Sequence, residues 1–135
     1  LGLLITPNFV FAFQLGDGDI MIANDEQCEH LIEGDKILGV ETHSLSKTQA
    51  WQSAISSVRR FDGINKPFMF MLSTDGFSNS YINDVEFKKT CKDYYDLISE
   101  HGINPISKQL EDWLSDTSKE GCGDDITLAI AYIID

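Results

Sequence analysis

No apolar run in this 135-residue chain approaches the roughly 20 residues that a membrane span requires. The opening Leu1-Gly2-Leu3-Leu4-Ile5 is short and has no basic flank, so it does not read as a signal peptide. A soluble cytoplasmic protein, with no membrane partner, is the expectation. Basic side chains are scarce: 10 stand against 22 acids, for a formal charge of −12. That field repels a phosphate backbone and excludes nucleic acid as the default partner, while it favours metal ions or basic partner segments. Cysteine is limited to positions 28, 91 and 122, an odd number without a CxxC pair. Neither a zinc knuckle nor a disulfide framework can be built from that, and reduced thiols are expected. His30, His43 and His101 are scattered, with no partner at metal-ligand spacing. A P-loop, a Gly-rich dinucleotide turn and the G-x-S-x-G of a serine hydrolase are also missing.

What is present is a foldable composition. The hydrophobic share is 42%, with eight Phe, four Tyr and two Trp, enough to give one domain a core and to exclude disorder over the whole length. Along Asn8–Leu15, the large side chains Phe9, Phe11, Phe13 and Leu15 recur every second residue, which is strand periodicity. A second strand-length run, Asp19–Ala23, follows Asp17-Gly18, and a tight antiparallel hairpin is predicted across that dipeptide. Residues 24–48 are polar and punctuated by Gly34 and Gly39, which predicts a loop with one short strand. Residues 49–61 fit helix and strand spacing equally and stay open. Phe68–Leu72 reads as a buried strand with Asp75 just past its end. Asn83 or Asp84 can cap a helix carrying Phe87, Cys91, Tyr94, Tyr95 and Ile98, closed by Gly102. Asn104-Pro105 then starts a helix that buries Ile106, Leu110, Trp113 and Leu114 and runs to Gly121. Ile126–Ile134 is a final apolar strand. Strands, two helices and a strand predict an α+β fold with helices on one face of an antiparallel sheet.

Three acidic turns stand at predicted strand edges: Gly16-Asp17-Gly18-Asp19, Thr74-Asp75-Gly76 and Gly123-Asp124-Asp125. Carboxylates converging from strand ends, with Gly leaving room beside them, suit a hard cation such as Mg²⁺ or Mn²⁺. An isolated Asp-Gly turn is more often a plain turn, so the weight lies on the three together. An EF-hand is excluded, because Met21 and Cys28 occupy the fifth and twelfth positions of the loop that Asp17 would open.

The order Phe13-Gln14-Leu15-Gly16-Asp17-Gly18-Asp19-Ile20, then Leu72-Ser73-Thr74-Asp75-Gly76-Phe77-Ser78-Asn79-Ser80, then Gly121-Cys122-Gly123-Asp124-Asp125-Ile126-Thr127-Leu128 resembles the metal-dependent serine/threonine protein phosphatases of type 2C, especially their bacterial branch. Glu41-Thr42-His43-Ser44-Leu45 resembles a further segment of that branch, and the similarity runs from about residue 8 to the C-terminus. The resemblance implies an antiparallel β-sandwich flanked by helices, and hydrolysis of phosphoserine or phosphothreonine in proteins, as part of signal transduction, by water held on a binuclear Mn²⁺/Mg²⁺ centre. It makes Asp75 and Asp124 metal ligands and Asp17 a ligand of a third, weaker metal. Asp125, Gly76 and Asn79 stand around them, Asn79 where many relatives carry an acid. It assigns no catalytic residue beyond the metal ligands.

The family's opening Asp-Gly motif, whose Asp bridges the two metals, has no counterpart, since residues 1–16 contain no acid. Residues 1–135 are therefore expected to be the C-terminal portion of a single phosphatase domain, incomplete at its N-terminus. Alone, the portion is expected to be inactive and prone to self-association through exposed apolar edges. The partners implied are phosphorylated proteins or peptides. A non-catalytic acidic interaction module of phosphatase ancestry is the alternative.

Overall fold

A computed structural model describes residues 1–33, 46, 48–61 and 68–134. Alternation in the first long strand decides the layering. In β2 (Phe9–Gln14), Val10, Ala12 and Gln14 point inward and are buried, while Phe13 on the opposite face is 38% exposed. β2 lies between β1 (Gly2–Ile5) and β5 (Ile55–Arg60), antiparallel to both. The second sheet, also antiparallel, runs in the order β4 (Cys28–His30), β3 (Asp19–Ala23), β6 (Phe68–Ser73), β7 (Leu128–Ile133). Four helices are described: α1 (Asp75–Asn79), α2 (Asp84–His101), α3 (Ile103–Ser107) and α4 (Leu110–Glu120).

The central strands β3 and β6 are apolar on both faces, as a strand covered on both sides must be. Ile20, Ile22 and Phe70 face the first sheet and share an apolar cluster with Val10 and Ala12. Met21, Ala23, Met69 and Met71 face the other way, against Phe77, Phe87, Cys91, Tyr94, Tyr95 and Ile98. The result is a mixed α+β arrangement of two antiparallel sheets and four helices.

α2 is delimited as its sequence dictates. The Asn83 side chain accepts the Glu86 N–H at 3.0 Å, and Gly102 closes the helix at φ 80°, a conformation that favours glycine. Its buried stripe lies over β3 and β6, where Phe77 meets Phe87 edge to face with centroids 5.5 Å apart. Where α2 begins, His30 joins Asp84 (Nε2–Oδ1 2.6 Å) and faces buried Asp19 (Nδ1–Oδ1 3.6 Å). Partial burial pushes the Asp84 carboxyl up, but hydrogen bonds from His30 and Lys88 outweigh it and hold Asp84 below the usual value.

Two expectations are corrected. The strands flanking Asp17-Gly18 do not pair with each other: β2 and β3 belong to different sheets, and the turn carries the chain across the domain. Both strands send alternate side chains into the same cluster, and that burial outweighs direct pairing. The helix expected from Asn104 to Gly121 is two helices, broken at Lys108-Gln109, with Gly102 rather than Asn104 before the first. The chain past β6 turns at once into α1, a helix no periodicity announced, with Thr74 at its start. The open stretch 49–61 is a 3₁₀ turn (Ala50–Ser53) followed by β5. The short strand expected in 24–48 is β4, and Glu41–Leu45 lies outside the described residues.

Phe87→Ala removes a ring that is 1% exposed from the helix–sheet layer. It should cost about 3–5 kcal/mol, measured as a lower urea midpoint with an unchanged m-value.

Candidate metal centre

Register brings the three acidic turns to one end of the second sheet. In adjacent antiparallel strands, Asp19 stands opposite Ser73, and Ser73 opposite Leu128. That row closes the ladder. Asp17 lies two residues before it on β3, Asp75 two residues after it on β6, and Asp124 four residues before it on β7. The strand directions therefore send all three out at the same edge.

The β6 and β7 turns are stitched together beyond the ladder. Thr74 N–H donates to the Thr127 carbonyl at 3.1 Å, and Thr127 N–H returns to Thr74 Oγ1 at 2.9 Å. Gly76 is pressed against the partner turn. A Cβ placed there would stand 2.6 Å from the Asp125 carbonyl oxygen and 3.3 Å from Asp124 Cβ. Only a residue without a side chain permits this approach, and through it the segment bearing Asp75 meets the segment bearing Asp124. Asp75 is half-buried, and Asp124 and Asp125 are exposed. Asn79, one helical turn on, brings Nδ2 to 3.5 Å from Asp75 Oδ2. Asp124 Oδ1 accepts the Asp125 N–H at 2.9 Å, which orients the carboxylate.

Asp17 arrives by a separate device that sequence reasoning missed. Gln14, 8% exposed at the end of β2, donates from Nε2 to the carbonyls of Gly16 (3.0 Å) and Gly18 (2.6 Å). A buried amide can satisfy two inward-facing turn carbonyls at once. Gly16 has φ 100°, and a Cβ on Gly18 would stand 2.5 Å from the Ser73 carbonyl oxygen, so the turn sits tightly on β6. A polar residue in phase with Val10 and Ala12, two positions before a Gly-rich turn, was the available signal. Asp17 itself is exposed.

The donor set is oxygen only, as hard divalent cations prefer. Among the described residues, no three His, Cys, Asp or Glu side chains form a group able to hold a metal ion. Asp75 and Asp124 stand on adjoining turns, and Asp17 is not gathered with them into a three-ligand cluster. A pair still fits the chemistry, because Mg²⁺ commonly takes one or two carboxylates and completes its octahedron with water and phosphate oxygens. A cleft of about 510 Å³ lies elsewhere. Lined by Asn8, Phe9, Val58, Arg60 and Phe61, it opens at the other end of β2 and holds one cation and no carboxylate.

Fold and corner together define an α+β domain that collects carboxylates at one end of a helix-backed sheet. A family model described as protein phosphatase 2C matches residues 1–115, most of the chain, and the chain belongs to that family. The matched span contains Asp17, Asp75, Gly76 and Asn79 and stops short of Asp124 and Asp125. No curated protein and no solved structure matches. Among the described residues, no helix is long and apolar enough to cross a membrane.

Gly76→Ala forces a methyl onto the Asp125 carbonyl. A loss of about 1–3 kcal/mol is expected from the overpacking, with amide resonance shifts concentrated in residues 124–127.

Proposed function

We propose that the protein to which this chain belongs hydrolyses phosphoserine and phosphothreonine in protein substrates, and that this chain supplies Asp75 and Asp124 to a Mn²⁺/Mg²⁺ pair and Asp17 to a weaker third site. The observation that carries the reading is the close approach of Gly76 to Asp124 and Asp125, within a chain of the 2C family. The finer fold is part of the proposal: a type 2C sandwich, supported by the apolar cluster common to both sheets and the helices over the far face of the second.

Charge makes a metal necessary for this chemistry. A phosphorylated side chain carries about −1.5 to −2 at neutral pH, and the chain carries −12. Two carboxylates at the site repel such a group unless divalent cations stand between them. When bound, the metal pair supplies a water of lowered pKa and neutralises the charge of an in-line displacement. The residues of the chain do the rest. Asp75 and Asp124 present oxygens from two turns whose spacing Gly76 and the Thr74–Thr127 bonds hold. Asn79 lends Asp75 an N–H at its Oδ2, a contact that orients the carboxylate. Exposure of Asp17, Asp124 and Asp125 leaves the corner open to a phosphate on the surface of another protein.

Asp75→Asn or Asp124→Asn in the active phosphatase should lower turnover of a phosphopeptide by more than about 100-fold, beyond the cost of losing an outer-shell partner. The 135-residue chain alone should give no turnover with Mn²⁺, because among the described residues no further acid joins Asp75 and Asp124 to bridge a binuclear centre. Robust turnover by the chain alone would refute that. Absence of Mn²⁺ binding to the protein that carries this chain at millimolar metal, measured by calorimetry, would replace the enzyme with an acidic interaction module.

A further inference from the structure

The linker from α4 to β7 touches α1 at a second point, remote from the strand ladder. Gly121 sits directly on Ser80. A Cβ built on Gly121 would overlap Ser80 Cβ and stand 2.6 Å from its Oγ and 2.7 Å from its Cα. The Ser80 hydroxyl is used in both senses. It donates to the Gly76 carbonyl at 2.7 Å and accepts the Cys122 N–H at 3.5 Å. Cys122 Sγ reaches the same Gly76 carbonyl at 3.4 Å. On the other side, Ser118 Oγ donates to the Asp124 carbonyl at 2.6 Å, and Gly123 N–H donates to the Ser118 carbonyl at 2.9 Å. Asp124 is therefore held at both flanks: by α4 through Ser118, and by α1 through the Gly121–Ser80 contact.

These contacts do not follow from β-pairing, since β7 begins only at Leu128. A seven-residue linker, 121–127, after a helix would otherwise take many conformations. We propose that the seating of Gly121 on Ser80 sets the separation of Asp75 from Asp124, which makes Ser80 and Gly121 positioning residues for the carboxylate pair. The inference rests on reading that pair as metal ligands. The mechanism is steric. α1 carries Asp75 at its first position and leads straight into Ser80, so a change in how closely the linker approaches Ser80 moves Asp124 relative to Asp75. The Ser80 hydrogen bond to the Gly76 carbonyl ties the seat back to the turn that abuts Asp124.

NMR on the metal-free 135-residue chain reads the geometry without any metal. The wild type should show cross peaks between the Gly76 Hα and Asp124 Hβ protons. Gly121→Ala should weaken or abolish them while the cross-strand contacts of Met71 with Ile130 persist, a split that general loosening of the fold does not produce. Ser80→Gly in the Gly121→Ala background removes the overlapping Cβ and Oγ and should restore part of the intensity. Should Gly121→Ala not fold, Ser80→Ala serves instead, since it keeps the Cβ of the seat and deletes the hydroxyl's bonds to Gly76 and Cys122; a weaker cross peak is expected there. Wild-type intensity in whichever of the two variants folds overturns the proposal. Titrating Mn²⁺ into the same samples tests the metal reading separately, with an affinity about 10-fold lower expected for the variants. A wild type that binds no Mn²⁺, but whose cross peak responds to the substitutions as described, counts against the metal reading and upholds the clasp.

Discussion

The register of β6 between its two neighbours is the constraint on which the rest of the structure depends. β6 is apolar on both faces, with Phe70 turned toward the first sheet and Met69 and Met71 toward the helices. A slip of one residue would exchange the two sets and drive each into the wrong layer. The ladder is therefore fixed, and its end at Asp19, Ser73 and Leu128 is fixed with it. Three turns leave that end, each carrying an acid, and the close contact at Gly76 brings two of them together. Packing in the core thus determines which acidic turns adjoin at the surface.

The molecule treats its acids in two ways. Asp19 is buried, 2% exposed, and is served by His30, which also bonds Asp84 and so links β3, β4 and the start of α2. Burial of a charge demands such a partner. Asp75, Asp124 and Asp17 stand instead at a more open edge, where repulsion between like charges is tolerable in water. The thiols follow the same division. Cys91 lies in the core, where burial and the neighbouring Cys28 push it well above the usual thiol range. Cys122 packs in the clasp beside Gly76.

Much of this was legible in the sequence, for identifiable reasons. The cap at Asn83, the buried stripe from Phe87 to Ile98 and the stop at Gly102 are local signals, and local physics decides them. The strand Phe68–Ser73 was readable because a doubly buried strand is apolar throughout. The supposed hairpin at Asp17-Gly18 failed because turn chemistry does not reveal whether the chain pairs back or crosses to another sheet; the shared cluster of Val10, Ala12, Ile20 and Ile22 decides that, and it is a tertiary fact. The break at Lys108-Gln109 interrupts an apolar spacing that reads as continuous. At the candidate site, the family resemblance pointed to Asp75 and Asp124, whereas the supporting residues Gln14, Ser80 and Gly121 were invisible. Each acts through a contact with a backbone carbonyl or a neighbour brought near only by folding.

The central claim is that Asp75 and Asp124 can share one hard divalent ion. Its most direct measurement is the anomalous difference density of Mn²⁺ in crystals of this chain grown or soaked with that metal. A peak bonded to carboxylate oxygens of both Asp75 and Asp124 is the expected result. Saturating Mn²⁺ with density at neither residue, or at one of them with the other carboxylate turned away, would contradict it.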